Sequence, residues 1–197
     1  MFYLFILLFF LLSAALAATV FKSGSQRIWS RIFRVVVVVI SVGIFAYYFI
    51  TRSLSQFEEN ALTVQLVNKL PFPLDFYIVK VGGTQDQPIY ETTHSGSIRS
   101  AFYRIEYLDM RTADQFWVAG FMGRKNLVYF SQHYVPNRNE DQIVEIQNYI
   151  NQSQKLSKLA AAQIEELRFT NMRTAIWITL DLLLLFLNFT LLIRRRK

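Results

Sequence analysis

The stretch RIWSRIFRVVVVVISVGIFAYYFI, Arg27 to Ile50, sets a basic segment directly against sixteen uncharged residues, Val35 to Ile50. In hydrocarbon the backbone finds no water to bond, so such a run crosses a bilayer only as a helix. Lys and Arg beside it stay on the cytoplasmic side. A bilayer core of about 30 Å asks for roughly 17–25 apolar residues. The run is slightly short, which predicts that the helix extends back to Ile32 with Arg34 snorkelling toward the headgroups. At helical spacing Arg27, Arg31 and Arg34 share one face, and Ile28, Trp29 and Ile32 point to another. That pattern suits either an interfacial helix gripping anionic lipid or a flank that orients the span.

Two more apolar runs lie outward from this junction. Met1 to Val20 carries no charge, and Thr174 to Ile193 carries only Asp181. Lys22, Arg27, Arg31 and Arg34 separate the first two runs, and Arg194, Arg195, Arg196 and Lys197 follow the third. With both clusters cytoplasmic, the chain reads as a three-span membrane protein of α+β class, its N-terminus outside and its middle exported. The expected divisions are a first span over 1–20, a basic cytoplasmic loop over 21–34 and a second span over 35–50. An exported β-rich domain over 51–139 follows, then a long helix over 140–173, a third span over 174–193 and a basic tail over 194–197. Ser13-Ala14-Ala15-Leu16-Ala17-Ala18 has the small residues of a signal-peptide cleavage site. A basic n-region is absent, however, and cleavage would reverse the placement of every basic flank. The run is therefore expected to be a retained helix, with Ser13, Ala14, Ala17 and Ala18 as its packing face.

Charge distribution narrows the function. The net charge is +7, yet Thr51 to Met172 holds twelve Lys and Arg against thirteen Asp and Glu. The exported part is near neutral and the surplus sits in the membrane flanks, which removes the nucleic-acid reading. The chain has no cysteine, hence no disulfide framework, thiolate metal site or cysteine nucleophile. An exported domain without disulfides favours a bacterial cytoplasmic (inner) membrane over the endoplasmic reticulum.

Within the exported part, Leu62, Val64 and Leu66 alternate with Thr63 and Gln65, as a half-buried strand does. The prolines around Phe72 end it. Leu74 to Val81 is a denser apolar run closed by Gly82-Gly83, Pro88 to Glu91 suits a short edge strand, and Ala101 to Tyr107 alternates again. Phe116 to Met122 and Leu127 to Tyr134 flank Gly123-Arg124-Lys125-Asn126 as a hairpin. Five or six such strands predict a small antiparallel sheet or sandwich. After Pro136 there is neither Pro nor Gly. Asn139 reads as an N-cap ahead of Glu140, Asp141 and Gln142, starting one long helix continuous with the third span. The alternative makes Gln142 to Ile150 a last strand and starts the helix near Asn151.

Asp181 is the one ionisable residue inside an apolar run, and such a group is costly in lipid unless paired, protonated or hydrated. Thr174 and Asn188 lie seven residues to either side of it, on the same helical face. The stripe Thr174, Asp181, Asn188 suits hydrogen bonding between helices, or else a proton or cation relay. Ser41, Gly43, Tyr47 and Tyr48 on the second run stand at matching depth. His94 and His133 have no metal-ligand spacing, and His94 beside Ser95 and Ser97 does not make a triad. No catalytic constellation, cofactor motif or phosphate loop is present. Thirteen aromatics between Phe72 and Tyr134 exceed the need of one sheet face, so some are expected at the surface, with Phe72 between two prolines as an anchor for a partner. The resulting expectation is a non-enzymatic accessory or assembly subunit of an envelope membrane complex, with the bilayer and other membrane subunits, or further copies of itself, as partners. A membrane-anchored sensor and an ion-conducting subunit using Asp181 are the alternatives.

Overall fold

The computed structural model describes residues 2–18, 24–54, 61–84, 87–137 and 140–194, without the side chains of 24–27 and 54. Lys22, Asn139, Arg195, Arg196 and Lys197 lie outside the described residues, as does the side chain of Arg27. Three helices and seven strands follow one another as α1 (Phe2–Ala17), α2 (Gly24–Leu54), β1 (Leu62–Asn68), β2 (Leu74–Thr84), β3 (Gln87–Ile98), β4 (Phe102–Leu108), β5 (Ala113–Met122), β6 (Asn126–Tyr134), β7 (Gln142–Ile146) and α3 (Gln154–Ile193). The chain is α+β and divides into two units, Gln56–Arg168 and a helical one made of Met1–Ser55 with Phe169–Lys197.

The β unit has two sheets, ordered β4-β1-β7 and β3-β2-β5-β6. Leu62, Val64 and Leu66 of β1 face Leu74, Phe76 and Ile78 of β2, with Phe116, Val118, Leu108, Val144 and Ile146 completing the core between the sheets. The opposite face of the four-stranded sheet, with Tyr77, Val79, Trp117, Ala119, Phe121 and Phe130, is covered by Ala160 and Ile164 of α3. Burial on both faces explains why β2 and β5 read as unbroken apolar runs rather than alternating ones. Glycine meets a close approach at Gly82, where a Cβ would stand 1.9 Å from the Thr112 carbonyl oxygen.

The structure departs from the expected sandwich in several places. β7 pairs with β1 in parallel, from Val64 opposite Gln142 to Asn68 opposite Ile146, so the sheets are not wholly antiparallel. The helix expected from Glu140 starts only at Gln154, because Val144 and Ile146 complete the second side of β1. Its N-terminal cap is Ser153, whose Oγ accepts from the Leu156 N–H at 3.3 Å. The short edge strand around Pro88 is twelve residues long, since the register with β2 runs through a bulge to Ile98. Along β6, the Phe130 N–H donates to the Ile150 carbonyl at 2.7 Å, and the Gln152 N–H returns to the Phe130 carbonyl at 3.2 Å.

In the helical unit, α2 and α3 have the length and apolarity to cross a membrane, with Ile28–Ser53 as the candidate span of α2. The third span expected over 1–20 is not supported. α1 has 16 residues, about 24 Å at 1.5 Å per residue against a core of about 30 Å. Carbonyls in the last turn of α1 find donors in α2: Ser30 Oγ donates to the Ala18 carbonyl, and Arg34 Nε to the Ala15 carbonyl at 3.4 Å. A cation at a helix C-terminus meets both the open carbonyls and the negative end of the dipole. The packing face of α1 is Phe5, Leu8, Leu12 and Ala15, whereas Ala14 and Ala17 of the expected small-residue face are exposed. Large side chains at helical spacing bury more apolar surface than the alanines beside them.

Candidate functional site

Asp181 and Asn188 lie two turns apart on α3, and both are fully buried. Aromatic contacts set the neighbours. Phe2 and Phe9 meet Trp177 edge-on at 6.4 and 5.4 Å, and the Arg173 guanidinium stands 3.9 Å from the Phe2 ring centroid. On the other side of α1, Phe5 stacks on Phe45 at 6.0 Å and meets Tyr48 edge-on at 5.2 Å. α1 therefore runs parallel to this part of α3 and antiparallel to α2. Asn188 Nδ2 donates to the Leu12 carbonyl of α1 at 3.0 Å and to the Leu184 carbonyl at 2.9 Å. Among the described residues, its Oδ1 and both Asp181 carboxylate oxygens have no hydrogen-bond partner. Thr174 is half-buried, and Ser41 Oγ is turned back to the Val37 carbonyl of its own helix at 2.7 Å. The arrangement ties α3 to α1 through one amide and leaves one carboxyl group facing an apolar interior. A buried polar group without a partner is costly, and a charged one more so.

The basic residues separate. Arg34 is 8% exposed and is occupied at the end of α1, so the expected lipid contact is replaced by a contact within the protein. Arg31 and Arg194 are exposed.

A second cluster forms on the helix-covered face of the four-stranded sheet. Arg168 of α3 donates from Nε to Tyr77 Oη at 3.0 Å and from Nη1 to Glu165 at 2.7 Å and to the Arg124 carbonyl. Its guanidinium stands 4.8 Å from the ring centroids of Tyr77 and Phe121. Tyr77 in turn donates to Asp75 at 3.0 Å, and the same carboxylate holds His94 Nε2 at 2.7 Å. Burial raises the Tyr77 phenol above its ordinary value, so it is a hydrogen-bond donor at neutral pH. Pro73, Asp75, Ser97, Phe121, Gly123, Arg124 and Arg168 line a cleft of about 420 Å³ beside it. Arg168 gave no signal in the sequence, because its partner Tyr77 is 91 residues away. Arg168 clamps α3 onto the sheet, a positioning role that its hydrogen bonds from Nε and Nη1 and its two ring contacts account for.

His94 bonds Asp75, not a serine. His133 Nε2 lies 2.7 Å from Ser131 Oγ and stacks on Phe116 at 5.0 Å, and burial lowers its basicity. Among the described residues, no three His, Asp or Glu side chains converge as a metal site.

No protein-family model, curated protein or solved structure matches this chain significantly. Its surfaces must speak for it. β1 and β7 turn one face to the core and β4 joins it at Leu108, while the outer face of the sheet is open among the described residues. Opposite pairs Val67 with Tyr103, Gln65 with Ile105 and Thr63 with Tyr107 share that outer face. Tyr103 is 61%, Tyr107 55% and Ile143 64% exposed. The alternation of Ala101 to Tyr107 thus marks a strand whose apolar side points outward. Phe72 is 53% exposed, in a loop held by Asn68, whose Nδ2 donates to the Phe72 and Ile98 carbonyls at 2.9 Å each.

Proposed function

We propose that this chain is a non-enzymatic accessory or assembly subunit of a complex in a bacterial cytoplasmic membrane. On this reading α2 and α3 cross the bilayer, the basic segment around Arg31 and the end at Arg194 are cytoplasmic, and the β unit is exported. α1 is a short apolar helix beside the two spans. The observation that carries the reading is the outer face of the three-stranded sheet. Tyr103, Ile105, Tyr107 and Ile143 form an ordered apolar surface on rigid strands, the kind of surface that marks an interaction site. Tyrosine suits such a face because it offers a large apolar body with a polar tip and few rotatable bonds.

The test uses photocrosslinking residues placed singly at Tyr103 and Tyr107 in the full chain in cells. Both positions are expected to capture the same protein in stoichiometric yield, and Tyr103→Ser with Tyr107→Ser is expected to abolish its copurification in mild detergent. A chain that crosslinks to nothing and purifies alone as a monomer defeats the reading.

The buried, unpartnered Asp181 carboxyl favours a second reading, a proton or cation path through the helical unit. Asp181→Asn retains the shape and removes the charge. Unchanged ion flux in reconstituted vesicles removes that path, and loss of flux with an intact fold supports it.

A further inference from the structure

The register of the strands gathers three connections at one end of the β sandwich. Asn68 lies opposite Phe102, Leu74 opposite Ile98, Asp75 opposite Phe121, and Met122 opposite Asn126. The β1–β2, β3–β4 and β5–β6 connections are therefore neighbours. They present Phe72 and Phe102, 53% and 61% exposed, together with the exposed basic residues Arg99, Arg124 and Lys125. Arg168 bonds the Arg124 carbonyl in the last of these connections, so α3 passes this end of the sandwich. In sequence, only the five residues from Phe169 to Arg173 then separate Arg168 from Thr174, where the apolar run begins.

We propose that this end of the sandwich is a lipid-contacting surface, with Phe72 and Phe102 entering the interfacial layer and Arg99, Arg124 and Lys125 meeting anionic headgroups. The proposal rests on α3 being a membrane span, as in the function argued above. Three features join in it. Aromatic side chains settle at the level of the headgroups, where apolar and polar surroundings meet. Basic side chains near an anionic surface are drawn to it within a Debye length. The loop geometry is fixed before contact, since Asn68 Oδ1 also accepts from the Leu70 N–H at 3.1 Å, and so little ordering is needed on docking. Phe72 thereby moves from an anchor for a partner protein to an anchor for the bilayer. The partner keeps the outer face of the three-stranded sheet.

The experiment exploits the absence of native cysteine. Phe72→Cys, Phe102→Cys and, at the opposite end of the sandwich, Gln87→Cys are made singly in the full chain. Each is labelled with an environment-sensitive fluorophore and reconstituted as the only protein in vesicles of zwitterionic lipid, with or without anionic phosphatidylglycerol. Labels at 72 and 102 are expected to show blue-shifted emission and quenching by lipids that carry a spin label near the headgroup. The label at 87 is expected to show neither. Replacing Arg99, Arg124 and Lys125 together by Gln is expected to remove the increase in quenching that phosphatidylglycerol brings. Water-like emission at 72 and 102 in both vesicle types overturns the proposal. So does shielding that occurs in native membranes but not in vesicles of the pure protein, because a partner protein then covers this end. Neither result bears on the crosslinks from Tyr103 and Tyr107, so the two surfaces stand or fall separately.

Discussion

The two sheets of the β unit are built from the same kinds of residue and end in opposite surroundings. The four-stranded sheet is covered on one face by the three-stranded sheet and on the other by α3. The three-stranded sheet has one covered face and one open face. Their central strands show the difference: β2 is buried without interruption from Phe76 to Val81, whereas every second residue of β1 is only half-buried. Fold stability is thus concentrated in the covered sheet, and the open sheet is free to present Tyr103, Ile105 and Tyr107. An apolar residue has a different meaning in each: in one it holds the fold, in the other it offers a surface.

Substitutions can break that contrast or sharpen it. The largest effect is expected from Phe130→Ala, which empties the layer between the sheet and α3. Truncating a fully buried Phe costs about 3–5 kcal/mol, read as a lower denaturation midpoint of the purified chain; a cost as small as that of an exposed site would show that α3 does not cover this face. Gly82→Ala comes next, because the added methyl group meets the Thr112 carbonyl oxygen. Crowding of this kind costs about 1–3 kcal/mol, measured in the same way. A pH effect follows from His133. Burial holds its folded pKa below the ordinary 6.5. The unfolded chain therefore takes up the proton first, and stability is full above pH 6.5 and falls as the pH drops from there toward the lower folded value. The melting temperature is expected to fall between neutral pH and pH 5, and His133→Gln is expected to lessen that slope. Tyr107→Ser on the open face is expected to change stability by no more than about 0.5 kcal/mol, while weakening recovery of the crosslinked partner.

The same contrast explains what could be read from the residues alone. Strands covered on both faces, such as β2 and β5, announce themselves as apolar runs, and β1 shows the alternation of a half-covered strand. β3 is polar for most of its length and lies at an edge, so only its stretch after Pro88 carried a strand signal. β7 is ambiguous because Ile143, Ile146 and Ile150 fit a helical face as well as Val144 and Ile146 fit a strand; the unsatisfied side of β1 decides it. Apolarity alone did not show how the last carbonyls of α1 are met, since the donors, Ser30 and Arg34, come from the next helix. The stripe of Asp181 and Asn188 was legible because polar residues in an apolar run have no other ready explanation. The Arg168 cluster was not, because its members come from four separate segments.

The hydrogen bonds that Ile150 and Gln152 make with Phe130 have a consequence for self-association. A terminal strand with free N–H and C=O groups is a template on which another chain can add a strand. At β6 the approach to α3 already occupies part of that template, and Gln152 Oε1 accepts the Gln132 N–H at 2.8 Å as well. The other outer strand of this sheet, β3, carries Pro88, which has no N–H to donate, and a bulge near Gly96 that disturbs a regular ladder. Stacking of like strands is thus obstructed at both edges of the largest sheet, although the β unit displays much apolar surface elsewhere.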